Sequence, residues 1–136
     1  MDAPNPARLY ASAVGATLVV AGIVGFFYSS SFGSPGKVDD VFGIFAVNGW
    51  SNVLHALTGA LGLFVAAYAS RWYSLWLGAF YVGLAFWGFA LGPGEAILGF
   101  LPVGTGINVL HLVLGALGVV AALATPRPAK GTAATA

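Results

Sequence analysis

The feature that most constrains the fold is an internal repeat of a four-residue segment. Asn52-Val-Leu-His55 returns 56 residues later as Asn108-Val-Leu-His111. The nearby Gly59-Ala-Leu-Gly62 returns at the same offset as Gly115-Ala-Leu-Gly118. Each copy lies in an apolar stretch long enough to cross a membrane. Because self-similarity of this kind determines the architecture, it predicts that one two-helix unit is used twice.

The composition is that of a chain that lies within a membrane. Hydrophobic residues make up 59% of the sequence and charged residues 7%, whereas a soluble domain carries about 25% charged residues. The formal net charge is only +1, which argues against a nucleic-acid partner. The sequence contains no cysteine, which excludes disulfides, thiolate metal sites and a cysteine nucleophile. We therefore expect an integral membrane protein.

Four apolar stretches reach the length of about 20 residues that spans the hydrocarbon, at 9–28, 50–70, 72–91 and 106–125. At a second offset of 63 residues, Arg8-Leu-Tyr10 matches Arg71-Trp-Tyr73. The predicted fold class is all-α: a polytopic membrane protein with four transmembrane helices. These helices form two tandem two-helix repeats, at about 8–70 and 71–125, related by a pseudo-two-fold axis along the membrane normal. They make up a single domain of residues 1–128, followed by a disordered cytoplasmic tail at 129–136.

Each repeat also contains a connection in which an acidic residue precedes a short apolar run, at 39–45 and at 95–101. One interpretation is a short interfacial segment that lies on the membrane surface before the second span of each unit. The other is a plain apolar loop folded onto the helix ends.

The basic residues predict the orientation. In a four-span arrangement Arg8, Arg71, Arg127 and Lys130 lie on one side, and Lys37 lies on the other. By the positive-inside rule, both termini then face the cytoplasm. The expected location is the bacterial plasma (inner) membrane, with a multi-pass topology.

The repeated polar and small residues share one helix face, since successive residues are rotated by about 100°. They are Asn52, His55, Gly59 and Gly62 in span two, and Asn108, His111, Gly115 and Gly118 in span four. Spans one and three carry matching stripes of small residues, Ala11, Gly15, Gly22 and Gly25, and Ser74, Gly78, Ala85 and Gly88. Membrane helices associate where small residues let their backbones approach. These faces are predicted to form the bundle interior, with spans two and four near its centre.

The two histidines are the candidate site, because an ionisable residue inside a membrane is a functional-site hypothesis by default. In the structural interpretation, each neutral imidazole hydrogen-bonds a neighbouring Asn or backbone oxygen. In the sharper hypothesis, His55 and His111 bind haem b or a pigment, and the residues lining that site are Asn52, Asn108, Gly59 and Gly115. A proton relay or a quinone pocket is a third interpretation, although no membrane-embedded Asp or Glu accompanies the histidines.

We expect no catalytic residue, no metal site and no cofactor. The favoured function is that of a non-enzymatic small membrane subunit or accessory protein that acts through helix–helix contacts. Its partners would be membrane lipid and either other membrane subunits or further copies of itself. The alternative is a bis-histidine haem- or pigment-binding membrane protein in electron transfer.

Three features together resemble a known family: Arg-x-Tyr at the start of spans one and three, Gly-Ile-Phe-Ala-Val-Asn48 before span two, and the paired Asn-x-x-His motifs. The family is the small bacterial membrane family catalogued as domain of unknown function 4383. The resemblance covers roughly residues 8–124. Gly104 stands where the first repeat has Asn48, so the second copy departs from the pattern there. The resemblance implies a four-helix membrane protein and brings no established activity.

Overall fold

Four α-helices and two small β-hairpins make up the computed structural model, which describes residues 5–92 and 94–127. The helices are α1 (Pro6–Tyr28), α2 (Gly49–Val65), α3 (Ser70–Ala90) and α4 (Thr105–Ala124). Strands β1 (Asp39–Val41) and β2 (Phe45–Val47) pair antiparallel, as do β3 (Ala96–Ile97) and β4 (Leu101–Pro102). Helices α1, α3 and α4 are long and apolar enough to cross a membrane. The predicted tail at 129–136 lies outside the described residues.

Glycines allow the helices to pack closely in two pairs, α1 with α2 and α3 with α4. A Cβ atom on Gly59 would lie 2.5 Å from the Gly15 carbonyl oxygen, and one on Gly115 would lie 2.8 Å from that of Gly78. No side chain larger than hydrogen fits these places, as expected for membrane helices that gain stability from backbone approach. The small residues of the four predicted stripes are buried.

Tyrosine hydroxyls join the two helix pairs by the same bond in both halves. Tyr10 of α1 donates to the Leu114 carbonyl of α4 at 2.9 Å. Tyr73, which follows Tyr10 by 63 residues, donates at 2.9 Å to the carbonyl of Thr58, which precedes Leu114 by 56 residues. The backbone contacts between the pairs are made chiefly by α1, with α3 and α4. The prediction that span two lies near the centre is therefore wrong for its backbone, whereas the backbone of α4 does take part in the contacts between the pairs.

The two connecting segments, predicted as interfacial segments or plain loops, contain β-hairpins. Each turn has two residues of positive φ, Phe42 (55°) with Gly43 (70°) and Leu98 (53°) with Gly99 (79°). A bulky residue in this conformation is unusual, and the hairpin bonds hold it there: Ile44 N donates to Val41 O at 3.2 Å, and Phe100 N to Ile97 O at 3.2 Å. Strand β2 contacts α4 and strand β4 contacts α2, so each hairpin reaches the opposite helix pair.

The second helix of each pair begins in a different way. Asn48 caps α2 through a capping box, in which its side chain accepts from Ser51 N at 3.0 Å and its backbone N donates to Ser51 Oγ at 2.9 Å. Asn48 Nδ2 also donates to the carbonyls of Pro35 (2.8 Å) and Phe100 (2.6 Å), which ties both connections to α2. Gly104 precedes α4 and provides no side-chain cap.

Helix α2 ends at Val65, short of the predicted end at residue 70. The amides of Tyr68 and Ala69 both donate to the Val65 carbonyl, at 3.1 and 2.8 Å, which closes a tight turn into α3. The other three helices begin and end within three residues of the predicted bounds. The turn after Val65 is as apolar as the helix before it, so hydropathy alone places the end of the span too late.

Candidate functional site

The two predicted histidines meet between the helix pairs. The centroids of the His55 and His111 rings are 6.1 Å apart, with the rings at 70° to one another. His55 is 9% exposed and His111 is half-buried. Helices α2 and α4 therefore present their imidazoles to each other although their backbones stay apart.

Tyr81 of α3 completes this cluster and was not anticipated from the sequence. Its ring lies 4.7 Å from that of His111, centroid to centroid, at an angle of 31°. Its hydroxyl is buried, and Thr58 is the polar side chain beside it. His111 Nε2 is likewise buried and without a partner among the described residues. A buried polar atom without a partner destabilises the fold, so His111 is held there by the packing of its ring rather than by a hydrogen bond from Nε2.

A wide groove lies on one side of the cluster, between α1 and α4 and beneath the β1–β2 hairpin. Its volume is about 420 Å³, and His55, His111 and Tyr81 form its inner end. Its walls and roof include Thr17, Val20, Ala21, Leu114, Phe42 and Phe45. The side chains of Val20 and Phe42 are 59% and 73% exposed, so the groove opens sideways.

A narrow cavity lies on the other side, between α2, α3 and α4 and beneath the β3–β4 hairpin. Its volume is about 60 Å³, and the same His55, His111 and Tyr81 line it. Phe80 and Leu84 are among the side chains that line it. They follow Thr17 and Ala21 by 63 residues.

The other predicted lining residues are divided between this cluster and the helix contacts. Asn108 lines the narrow cavity. Asn52 instead donates to the Ser29 carbonyl at 2.8 Å and packs against Gly25, where a Cβ atom would collide with it. Gly59 and Gly115 lie in the close contacts with α1 and α3. Asn52, Gly59 and Gly115 therefore do not line a site around the histidines. Helices α2 and α4 pack their glycines against α1 and α3, and the imidazoles on the same helices point toward a different neighbour.

The sequence did contain a signal for Tyr81. At the 63-residue offset most of the small-residue stripe is kept, while Leu18 is replaced by Tyr81. A polar aromatic residue inserted into an otherwise apolar position of a buried face usually places its hydroxyl beside a partner. Among the described residues, no group of three His, Cys, Asp or Glu side chains comes together as a metal site.

The apolar helices, their glycine contacts and the buried imidazoles define the class of small helical membrane proteins. The sequence profile of one family, "Domain of unknown function (DUF4383)", matches residues 8–124. The chain belongs to this family, as its motifs predicted. No curated protein and no solved structure matches the chain.

Proposed function

We propose that the protein is a non-enzymatic subunit or accessory protein of the bacterial plasma membrane that works through helix–helix contacts. It crosses the membrane four times, with both termini in the cytoplasm, as two tandem hairpins about a pseudo-two-fold axis. The recurring tyrosine bonds and glycine contacts support the tandem arrangement.

The length and surface of α2 support its assignment as a membrane span in addition to α1, α3 and α4. The helix has 17 residues, at the lower end of the range of about 17–25 residues that spans a bilayer. Its outer side exposes Leu57, Leu61 and Phe64, at 63%, 53% and 73%. Such a row of exposed apolar side chains is suited to contact with lipid.

The use of the polar side chains within the helices supports a non-enzymatic role. Tyr10, Tyr73 and Ser74 donate to backbone carbonyls of neighbouring helices, and Asn52 donates to the carbonyl that follows α1. Each of these bonds connects segments, and none orients a second polar side chain toward a reacting atom. The sequence also has no acidic residue within the four helices.

The observation that carries the proposal is a lateral depression between α2 and α3, away from the hairpins. Its volume is about 420 Å³, and apolar side chains line it almost throughout. Trp72 and Trp76 form part of its wall and are 59% and 71% exposed. A helix of a partner or of a second copy can insert its side chains there, and aromatic residues contribute strongly to such contacts.

Native mass spectrometry of the protein released from its own membrane tests this proposal. We expect a complex with another membrane chain or a second copy. Trp76→Ala should reduce the complex about tenfold or more, as is typical for an aromatic anchor. Phe86→Ala is the matched control, because Phe86 is 64% exposed on the same helix but lies outside the depression. A monomer without a companion chain, or equal loss in both variants, would contradict the proposal.

A haem- or pigment-binding protein is the second candidate, and the spacing of the imidazoles favours it. With metal–nitrogen bonds of about 2 Å, two axial imidazoles stand roughly 6 Å apart between centroids, close to the observed 6.1 Å. A flat macrocycle, however, needs room on both sides of the line that joins the two imidazole rings. The narrow cavity on one side holds only about 60 Å³. A visible absorption band that disappears in His55→Ala or His111→Ala would favour this candidate over the first.

A further inference from the structure

A surface depression lies where α3 ends and α4 begins. Its volume is about 260 Å³, with Gly88 and Leu91 on the α3 side and Gly104, Thr105 and Asn108 on the α4 side. Unlike the wide groove and the narrow cavity, it exposes more polar than apolar surface. In the first half of the chain the equivalent polar groups are bonded within the protein, and the comparison shows which groups remain available here.

The amides at the start of α4 are available as hydrogen-bond donors. In the first half, Asn48 Oδ1 accepts from the Ser51 amide at 3.0 Å. The Gly49 amide of the same turn donates to the Ser31 carbonyl at 2.8 Å. Gly104 has no side chain that could cap α4, and among the described residues no acceptor meets the amides of its first turn. Because these amides lie at the positive end of the helix dipole, they are suited to an oxyanion such as a phosphate.

The side chain of Asn108 adds a polar group to the same place. Its counterpart Asn52 donates to the Ser29 carbonyl at 2.8 Å. Asn108 is only 4% exposed, yet its side chain forms no hydrogen bond with the described residues. Its amide oxygen, nitrogen and carbon all lie beside Gly88, which lines the depression and not the narrow cavity. A buried amide without a partner destabilises the fold, so a ligand that bonds it satisfies a group that the protein leaves open.

The α3 side of the depression offers acceptors instead of donors. In the first half, the Ser29 amide donates to the Gly25 carbonyl at 2.9 Å and closes the last turn of α1. The equivalent amide after α3, that of Gly92, donates to the Glu95 carboxylate. The Gly88 carbonyl therefore lacks the bond that Gly25 receives, and it lies at the negative end of the α3 dipole. A primary ammonium group, which has three N–H donors and a positive charge, is suited to this side.

We propose that the surface depression binds a phosphate ester that carries a primary ammonium group, which is the chemistry of a phosphoethanolamine headgroup. The phosphate lies at the first turn of α4 beside Asn108, and the ammonium lies beside the Gly88 carbonyl and Glu95. The volume of about 260 Å³ is below the range of about 300–1,000 Å³ for whole small molecules. The depression therefore holds the headgroup, and any hydrocarbon chains stay outside.

This inference goes beyond the proposed function and shares with it the assignment of α3 and α4 as membrane spans. Both helices are long and apolar enough to cross a membrane, so their ends lie at the level of lipid headgroups. Two other headgroups fit the depression less well. Phosphatidylglycerol has no ammonium, and the Glu95 carboxylate repels its negative charge. The quaternary ammonium of phosphatidylcholine has no N–H with which to bond the Gly88 carbonyl.

The test titrates the delipidated protein in detergent with phosphatidylethanolamine, phosphatidylglycerol or phosphatidylcholine of identical acyl chains. Native mass spectrometry measures the fraction of protein that carries one lipid. We expect phosphatidylethanolamine to bind about tenfold more tightly than the other two, as the loss of one charge-assisted hydrogen bond implies. Competition with water-soluble O-phosphoethanolamine identifies the source of the headgroup. Displacement at equal concentration assigns the site to the free compound, and displacement only in large excess assigns it to the lipid.

Gly104→Asn gives α4 the capping residue that α2 has in Asn48. The backbone of Gly104 is extended, and a Cβ atom there meets only the Ala46 Cβ at 3.6 Å, so the new side chain fits. Because its oxygen accepts from the first-turn amides, binding should weaken about tenfold or more without loss of stability. Gly43→Asn is the matched control, since a Cβ atom there meets nothing within 4 Å and asparagine tolerates positive φ.

Glu95→Gln tests the ammonium through the sign of its effect. A glutamine oxygen can still accept from the Gly92 amide, so the connection keeps its shape while the charge is removed. Phosphatidylethanolamine should then bind more weakly and phosphatidylglycerol more tightly, each by about twofold to fivefold, as for a charge at the surface.

Three results would overturn the inference. They are a wild-type protein that does not prefer phosphatidylethanolamine, unchanged binding by Gly104→Asn, and a Glu95→Gln effect of the same sign on both lipids. Extraction of the chain without detergent would instead contradict the membrane spans. Loss of the partner complex with the lipid preference intact would contradict the proposed helix–helix function alone, so the failures are distinguishable.

Discussion

The wide groove and the narrow cavity share the same two imidazoles but differ in volume, at about 420 and 60 Å³. The helices beside them are related at a 63-residue offset, and the difference follows from a few side chains. Thr17, Leu18 and Ala21 border the groove, and their counterparts Phe80, Tyr81 and Leu84 border the cavity; Tyr81 also reaches the groove. The two halves therefore keep the glycine contacts that determine the backbone and diverge where a pocket is opened or filled.

This contrast separates two kinds of position in the chain. At positions of backbone contact the halves are equivalent, so matched changes should have matched effects. At positions around the histidines and at the helix starts the halves differ, so matched changes should have unequal effects. The free energy of unfolding in detergent, measured on matched variants of the two halves, tests both sides of this distinction.

The largest effect is expected at the glycine contacts. Gly59→Leu and Gly115→Leu each insert a side chain where even a Cβ atom would lie 2.5 or 2.8 Å from a carbonyl oxygen of the facing helix. Because the helices must then separate, each change should lower the free energy of unfolding by about 3 kcal/mol, the upper end of the usual cost of overpacking. Gly83→Leu is the control, since a Cβ atom there meets nothing within 4 Å. A stable Gly59→Leu protein would mean that the wrong face has been assigned to the interior.

A smaller and unequal effect is expected at the two asparagines. Asn52→Ala removes the bond to the Ser29 carbonyl and leaves that buried oxygen without a partner, which costs about 1–3 kcal/mol. Asn108 packs against Gly88 in the same way but borders a surface depression near Gly92 and Thr105, where water can replace it. Asn108→Ala should therefore cost less than about 1 kcal/mol. Equal losses would show that the halves are equivalent here as well.

The fold was predictable from the sequence where a regular pattern carried the information. Apolar length placed α1, α3 and α4, and the spacing of Gly15, Gly59, Gly78 and Gly115 identified their contact faces. The β-hairpins were missed because their strands have only two or three residues each, too short for an alternating pattern. Their signal was the pair Phe42-Gly43 and Leu98-Gly99, where a glycine follows an apolar residue at the tip of each turn.

The candidate site was predictable only in part. The repeat identified His55 and His111 and the helix face that carries them, but it could not supply their surroundings. A repeat describes what two halves share, and the cavities depend on what they do not share, namely Tyr81 and Phe80 against Leu18 and Thr17. Positions that depart from a repeat therefore merit as much attention as those that keep it.

An intermediate and equal effect is expected at the two tyrosines. Tyr10→Phe and Tyr73→Phe each remove one hydrogen bond of 2.9 Å to a backbone carbonyl and keep the ring. Interhelical bonds of this kind contribute about 0.6 kcal/mol on average, so both variants should lose about that much. Tyr68→Phe is the control, because Tyr68 is 67% exposed. A loss in only one of the two variants would contradict the equivalence of the halves at their junction.

The smallest effect on stability is expected at the histidines. A glutamine amide can donate and accept hydrogen bonds as a neutral imidazole can, so His55→Gln should change the free energy of unfolding by less than about 0.5 kcal/mol. His111→Gln should cost slightly more, because it also loses the ring contact with Tyr81 at 4.7 Å. Neither change disturbs the glycine contacts that hold the helix pairs together, so both effects should stay well below that of Gly59→Leu. A loss of stability above about 2 kcal/mol in His55→Gln would instead assign the imidazole to the packing of the helices.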